Sequence, residues 1–234
     1  MKKILFLCLL MQVSSWINAQ NSEVIEAVSG ENLNEKISNQ MQYLFPDFTD
    51  GYVFYKGMPQ ISGKLNYNML IGEMHFIDAN NKILALSNVS DVLMISIGDR
   101  KFYHHSDEEF VEELLLDDKL QLLIKRNGNV ASHGKKGAFG MSSSTTSITS
   151  YSGINNSENN TYSNISVVED VIITLNNTYY LSVNNKRIQI INQKTFTKQF
   201  SKYKTQIEKF VKEQNIRFDN EEDLKTLIKY CNTL

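Results

Sequence analysis

From Tyr52 to about Lys125 the apolar residues recur at every second position, in short runs separated by turn signals. That period belongs to strands with one face in a core, and it argues against a helical bundle for the middle of the chain. Leu65, Tyr67, Met69 and Ile71 alternate with Lys64, Asn66, Asn68 and Leu70. The parity flips after Gly72, where Met74 and Phe76 take over; a bulge at Gly72-Glu73 would reverse the faces in this way. Asn80-Asn81 reads as a hairpin turn. Ile83 to Leu86, Val92 to Ile97 and Lys101 to Tyr103 read as further strands, and Leu120 to Lys125 as another, closed by Asn127-Gly128. Glu108 to Leu116 fits a helix through Phe110, Leu114 and Leu115, and equally a strand. Strands resume at Ser166 to Val168, Val171 to Leu175 and Tyr179 to Val183, and after an Asn184-Asn185 turn at Arg187 to Ile191. Short strands this closely spaced predict a mainly β fold, an antiparallel meander forming a curved sheet, a sandwich or a partly open barrel.

Helical spacing flanks this region. Leu33, Ile37, Met41, Leu44 and Phe45 predict a short amphipathic helix that Pro46 ends. Phe196, Phe200, Tyr203, Ile207, Phe210 and Val211 fall on one helical face, with Lys194, Lys198, Lys202, Lys209 and Lys212 on the other. Asn220 reads as a cap before Glu221-Glu222-Asp223 and a last helix. C-terminal α-helices should therefore pack on the sheet or trail from it. The expected organisation is a leader over 1–19, a helical or extended segment over 20–50, a β-rich domain over 51–192 with a low-complexity insert at 131–161, and a helical segment over 193–234.

The leader has the three parts of a secretory signal peptide. Lys2 and Lys3 start it, Ile4 to Met11 form its apolar run, and Asn18-Ala19-Gln20 places a small residue at the expected cut after Ala19. Export to the periplasm or cell envelope follows. The apolar run is too short to span a bilayer, and no later stretch is longer, so no transmembrane segment is expected in the mature chain. Cleavage removes Cys8 and leaves Cys231, so no internal disulfide can form and the core must hold the fold.

The full chain carries a net charge of −2, which loss of the two leader lysines takes to −4. Residues 186–234 carry +5 and residues 20–185 carry −9. Neither half has the charge density of a nucleic-acid binder.

Three segments resemble an uncharacterised family of exported proteins from Bacteroidota. They are Lys56-Gly57-Met58-Pro59 with LNYNMLIGEMHFID at 65–78, KKGAFGMSSSTTSITSYS at 135–152, and FDNEEDLKTLIKYC at 218–231. The resemblance spans most of the mature chain and implies a periplasmic or cell-envelope protein. It brings no activity and no catalytic residues.

Candidate sites are sparse. The insert offers Lys135, Lys136, Gly137, Phe139, Gly140, Ser142, Ser143 and Ser144, a glycine-rich run whose backbone N–H groups and flanking charge suit partner or ligand contact. It lacks the Walker order, so nucleotide binding is not supported. His75, His104, His105 and His133 show no HExxH spacing, no CxxC accompanies them, and the adjacent pair would point to opposite faces of a strand. No metal or cofactor is expected. Glu73, Asp78, Asp91 and Asp99 sit at strand ends, where turn duty is the ordinary role and a carboxylate pair for glycoside hydrolysis the alternative. No G-x-S-x-G elbow surrounds Ser132 or Ser142. The sequence therefore favours an exported envelope binding, scaffold or accessory protein without catalytic activity, with another envelope protein as the expected partner. The alternative is a carboxylate-based hydrolase of the periplasm.

Overall fold

The structure, a computed structural model, describes residues 22–25, 31–32, 36–105, 109–117, 120–132, 166–167, 171–183, 186–190 and 192–234. Its centre is one antiparallel sheet. Four strands come first: β3 (Thr49–Tyr55), β4 (Ile61–Asn68), β5 (Glu73–Ile77) and β6 (Ile83–Ala85). The chain then returns through a 3₁₀ turn at Val89–Asp91 to lay β7 (Val92–Ile97) beside β3. From there β8 (Arg100–His105), β9 (Glu109–Asp117), β10 (Leu120–Ser132), β12 (Val171–Val183) and β13 (Lys186–Ile190) follow in order, each paired to the one before. Strand β1 (Ser22–Ile25) pairs with the start of β12. A separate two-stranded ribbon joins β2 (Glu31–Asn32) to β11 (Ser166–Val167).

The mainly β, antiparallel expectation holds, in its curved-sheet form: the sheet is not closed into a barrel. It curls enough that the β4–β5 turn reaches β10. The Gly128 N–H donates to the Met69 carbonyl at 2.6 Å, and the Tyr67 hydroxyl donates to the Arg126 carbonyl at 3.2 Å. A side chain at Gly128 would run into Leu70. This corrects the reading of Asn127-Gly128 as a strand end. The glycine lies inside β10 and permits a close approach between strands.

Other boundaries change for similar reasons. No bulge links Leu65 to Phe76. The parity flip is a chain reversal, with Leu65 paired to Phe76 across a β4–β5 hairpin and Gly72 at φ +71° in its turn. Glu108 to Leu116 resolves as strand β9. Val171 to Val183 is one continuous strand, because Asn176 and Asn177 stay in register opposite Asn127 and Arg126. Asn66 and Asn68 are buried although they alternate with the apolar set. The reason is the segment at 42–45, which lies over them and bridges Tyr43 to Asn68. Leu44 N–H donates to the Tyr67 carbonyl, and the Asn66 amide bonds both the N–H and the C=O of Phe45. That pairing also limits the N-terminal helix to one turn, α1 (Asn39–Gln42), which still buries Met41. Leu33 lies outside the described residues.

The helices cover the other end of the sheet. α2 (Gln193–Thr197), a 3₁₀ segment Lys198–Tyr203, α3 (Lys204–Glu213) and α4 (Glu221–Cys231) follow β13. The continuous helix expected over 194–212 is broken at Phe200, whose φ of −123° and ψ of 48° leave helical space. Phe196, Ile207, Leu224, Leu227 and Ile228 pack on Leu122, Ile124 and Leu181 of the sheet. Lys194, Lys198, Lys202, Lys209 and Lys212 are all exposed, as the helical period required. Asn220 caps α4 by accepting the Asp223 N–H at 3.0 Å, with three acidic residues in the first turn. A second core, around Leu65, Tyr67, Met74, Ile95, Ile97 and Phe102, fills the N-terminal half. Among the described residues no helix is long and apolar enough to cross a membrane.

Candidate functional site

The expected contact loop, Lys135 to Ser144, lies outside the described residues. The strand that leads towards it, β10, ends beside the start of β12, since Ser132 pairs with Val171.

Histidine and carboxylate candidates meet in one place. The Nδ1 of His75 lies 3.0 Å from the Tyr43 hydroxyl, and its Nε2 lies 3.3 Å from Oε2 of Glu73. An ionised carboxylate only accepts, so Nε2 donates to Glu73, and Nδ1 pairs with the Tyr43 hydroxyl. This chain could hold or relay a proton. Its ring, however, is 1% exposed, too enclosed to reach a substrate, and it fixes the segment at Tyr43 against β5. His104 packs edge-on to Phe110 at 5.3 Å, and His133 lies outside the described residues. Asp78 does turn duty: its Oδ1 accepts the N–H groups of Asn80 and Lys82, both at 2.8 Å. Those bonds hold its carboxyl below the ordinary 3.8. Among the described residues no group of three or more His, Cys, Asp or Glu could hold a metal ion.

A charged cluster that the sequence reading did not single out lies under α4. Glu112 is buried and bridges two arginines, Arg100 and Arg126, each at 2.7 Å. Arg126 continues to Glu221 at 3.1 Å, and Glu221 also holds Lys225 at 2.8 Å. Burial works against the Arg126 charge, but Glu112 and Glu221 outweigh it and raise its pKa above the ordinary guanidinium value. The cluster spends its charges on one another and ties β8, β9 and β10 to α4. Once the segment is a strand, Glu112 shares the face of Phe110, and that alternation was the available signal.

Among the described residues, an apolar cleft of about 190 Å³ lies on the face of β3, β4 and β5. Val53 and Tyr55 line it from β3, Ile61, Gly63 and Leu65 from β4, Phe76 from β5, and Leu86 and Ser87 from the segment after β6. The register explains the alignment. Val53 lies opposite Ile61, Gly51 opposite Gly63, and Leu65 opposite Phe76, so side chains two apart share the face. Every lining position of β3 and β4 on that face carries a large side chain except Gly63.

The two paired glycines differ in what they are for. A Cβ at Gly51 would run into the Ser96 carbonyl and the Leu65 side chain, so packing demands glycine there. A Cβ built on Gly63 meets only Leu65 Cδ2 at 4.0 Å, and its backbone is not left-handed. Nothing in the backbone or packing requires glycine at Gly63, and a strand glycine weakens its strand. Its effect is to leave the cleft open. Ile61 at the rim is 54% exposed. A mid-strand glycine between Ile61 and Leu65 was the sequence signal for this site, visible only once register was known.

No family model matches the chain, and neither a curated protein nor a solved structure matches it.

Proposed function

We propose that the protein is an exported binding protein of the cell envelope, non-enzymatic, with the cleft over Gly63 as its ligand site. The observation that carries this reading is the unforced glycine in the middle of β4, which keeps about 190 Å³ of apolar space open in a sheet whose neighbouring positions are filled. The described acid–base groups support it from the other side. His75 and Glu112 are enclosed and engaged with fixed partners, an arrangement that builds structure more readily than it turns over substrate. The Lys2-Lys3 start, the apolar run and Ala19 support export.

Native mass spectrometry of protein purified from the envelope of an exporting host tests the reading. The mass should begin at Gln20 and carry a non-covalent adduct in wild type that is missing from Gly63→Leu. A chain that keeps its leader removes the export part. An adduct equally present in Gly63→Leu, or none in either protein, removes the cleft.

A further inference from the structure

We infer that the cleft over Gly63 takes a neutral, phenol-sized ring of a small molecule, an inference that rests on the binding reading above and names its ligand class. Three observations lead there. The first is size. A cavity of roughly 150 Å³ with aliphatic and aromatic walls is enough to bind benzene, whereas drug-sized ligands need about 300 Å³ or more. At about 190 Å³ the cleft has room for one substituted ring, and any larger part of a ligand would lie outside it.

The second is charge. Val53, Tyr55, Ile61, Leu65, Phe76 and Leu86 form the walls, and no lining residue is ionised at neutral pH. An ionised ligand group would lose its hydration with no counter-charge to replace it. Tyr55, Ser62 and Ser87 are the lining residues that carry hydroxyls, groups able to pair with a ligand hydroxyl. Burial pushes the Tyr55 hydroxyl above its ordinary 10.0, so it stays protonated and able to donate.

The third is shape. Phe76 and Tyr55 place two rings around the space left by Gly63, and rings gain from offset or edge-to-face contact with other rings beyond the area they bury. The cleft lies on the face of paired strands. An extended peptide would instead need a free strand edge for its backbone, so a small molecule fits the position better than a peptide side chain does.

Titration of the mature protein with four probes tests this by ligand-observed NMR and calorimetry: p-cresol, 4-methylbenzoate, n-hexanol and a Phe-containing hexapeptide. The expected result is p-cresol binding at least tenfold tighter than 4-methylbenzoate and n-hexanol. Gly63→Leu should weaken p-cresol at least tenfold while melting no lower than wild type. Should n-hexanol or the hexapeptide bind best and be lost in Gly63→Leu, the ring assignment is overturned and the cleft reading stands. Binding of p-cresol unchanged by Gly63→Leu, or binding of no probe, overturns the assignment and the cleft together. A Gly63→Ala protein, which adds one methyl, should keep part of the p-cresol affinity and guards against a folding artefact in Gly63→Leu.

Discussion

The Nε of Arg126 lies 2.7 Å from Oε2 of Glu112, a carboxylate only 3% exposed. Arg100 meets the other oxygen of the same carboxylate, and Arg126 reaches on to Glu221 at the start of α4. One buried carboxylate thus connects neighbouring strands to the helical layer. Removing its charge while keeping its shape would leave Arg100 without its carboxylate and Arg126 with Glu221 alone. Glu112→Gln should cost about 3–5 kcal/mol, because breaking a buried ion pair from one side strands the partner charge. Urea unfolding checks this; a loss under about 1 kcal/mol would mean that water already screens the cluster.

The same cluster makes the helical layer sensitive to acid. Burial raises the Glu221 pKa, but Lys225 and Arg126 outweigh burial and hold it below the ordinary 4.5. A group lowered by folding stabilises above its unfolded pKa, and its contribution is lost as pH falls through the folded value. Stability should therefore decline below about pH 4.5, and Glu221→Gln should flatten that part of the curve. Urea midpoints measured from pH 3 to 7 decide it. Parallel acid limbs in the two proteins would show that the decline comes from elsewhere.

The two paired glycines should respond oppositely to a single methyl group. Gly63→Ala should stabilise by about 0.5–1 kcal/mol, since glycine inside a strand costs that much relative to alanine. Gly51→Ala should destabilise by about 1–3 kcal/mol through overpacking against the Ser96 carbonyl. Thermal melts of both variants check the pair. Equal effects would mean that the register across β3 and β4 differs from Gly51 opposite Gly63.

Cys231 should be inert in the folded protein. It is buried in the helical layer, and burial pushes its thiol up to about 12 from an ordinary 9.0. Its thiolate fraction at neutral pH is then about a thousandfold lower than that of an exposed cysteine. A disulfide reagent should leave the folded mature chain unmodified for hours and label one thiol at once in denaturant. Rapid labelling under native conditions would show that α4 opens from the sheet.

Much of the architecture is legible in the residues because burial imposes a period. The apolar run of β7 and the lysine-backed face of the C-terminal helices needed no partner to be read. Several of the misread positions depend on contacts distant in sequence. Gly128 looked like a turn because its reason for being glycine is Leu70, in another strand. Asn66 looked solvent-facing because its cover is the backbone of Phe45. The cleft was hidden for the same reason, since Gly63 differs from Gly51 only through what surrounds each. Glu112 lay within a segment whose helix-or-strand ambiguity concealed which face it shared.

Methyl-resolved NMR of the mature protein, isotope-labelled at Ile, Leu and Val and titrated with p-cresol, addresses the cleft most directly. The account expects shifts concentrated at Val53, Ile61, Leu65 and Leu86, with Leu224, Leu227 and Ile228 under the helices unmoved. Unchanged methyls around Gly63, or shifts confined to the helical layer, would contradict it.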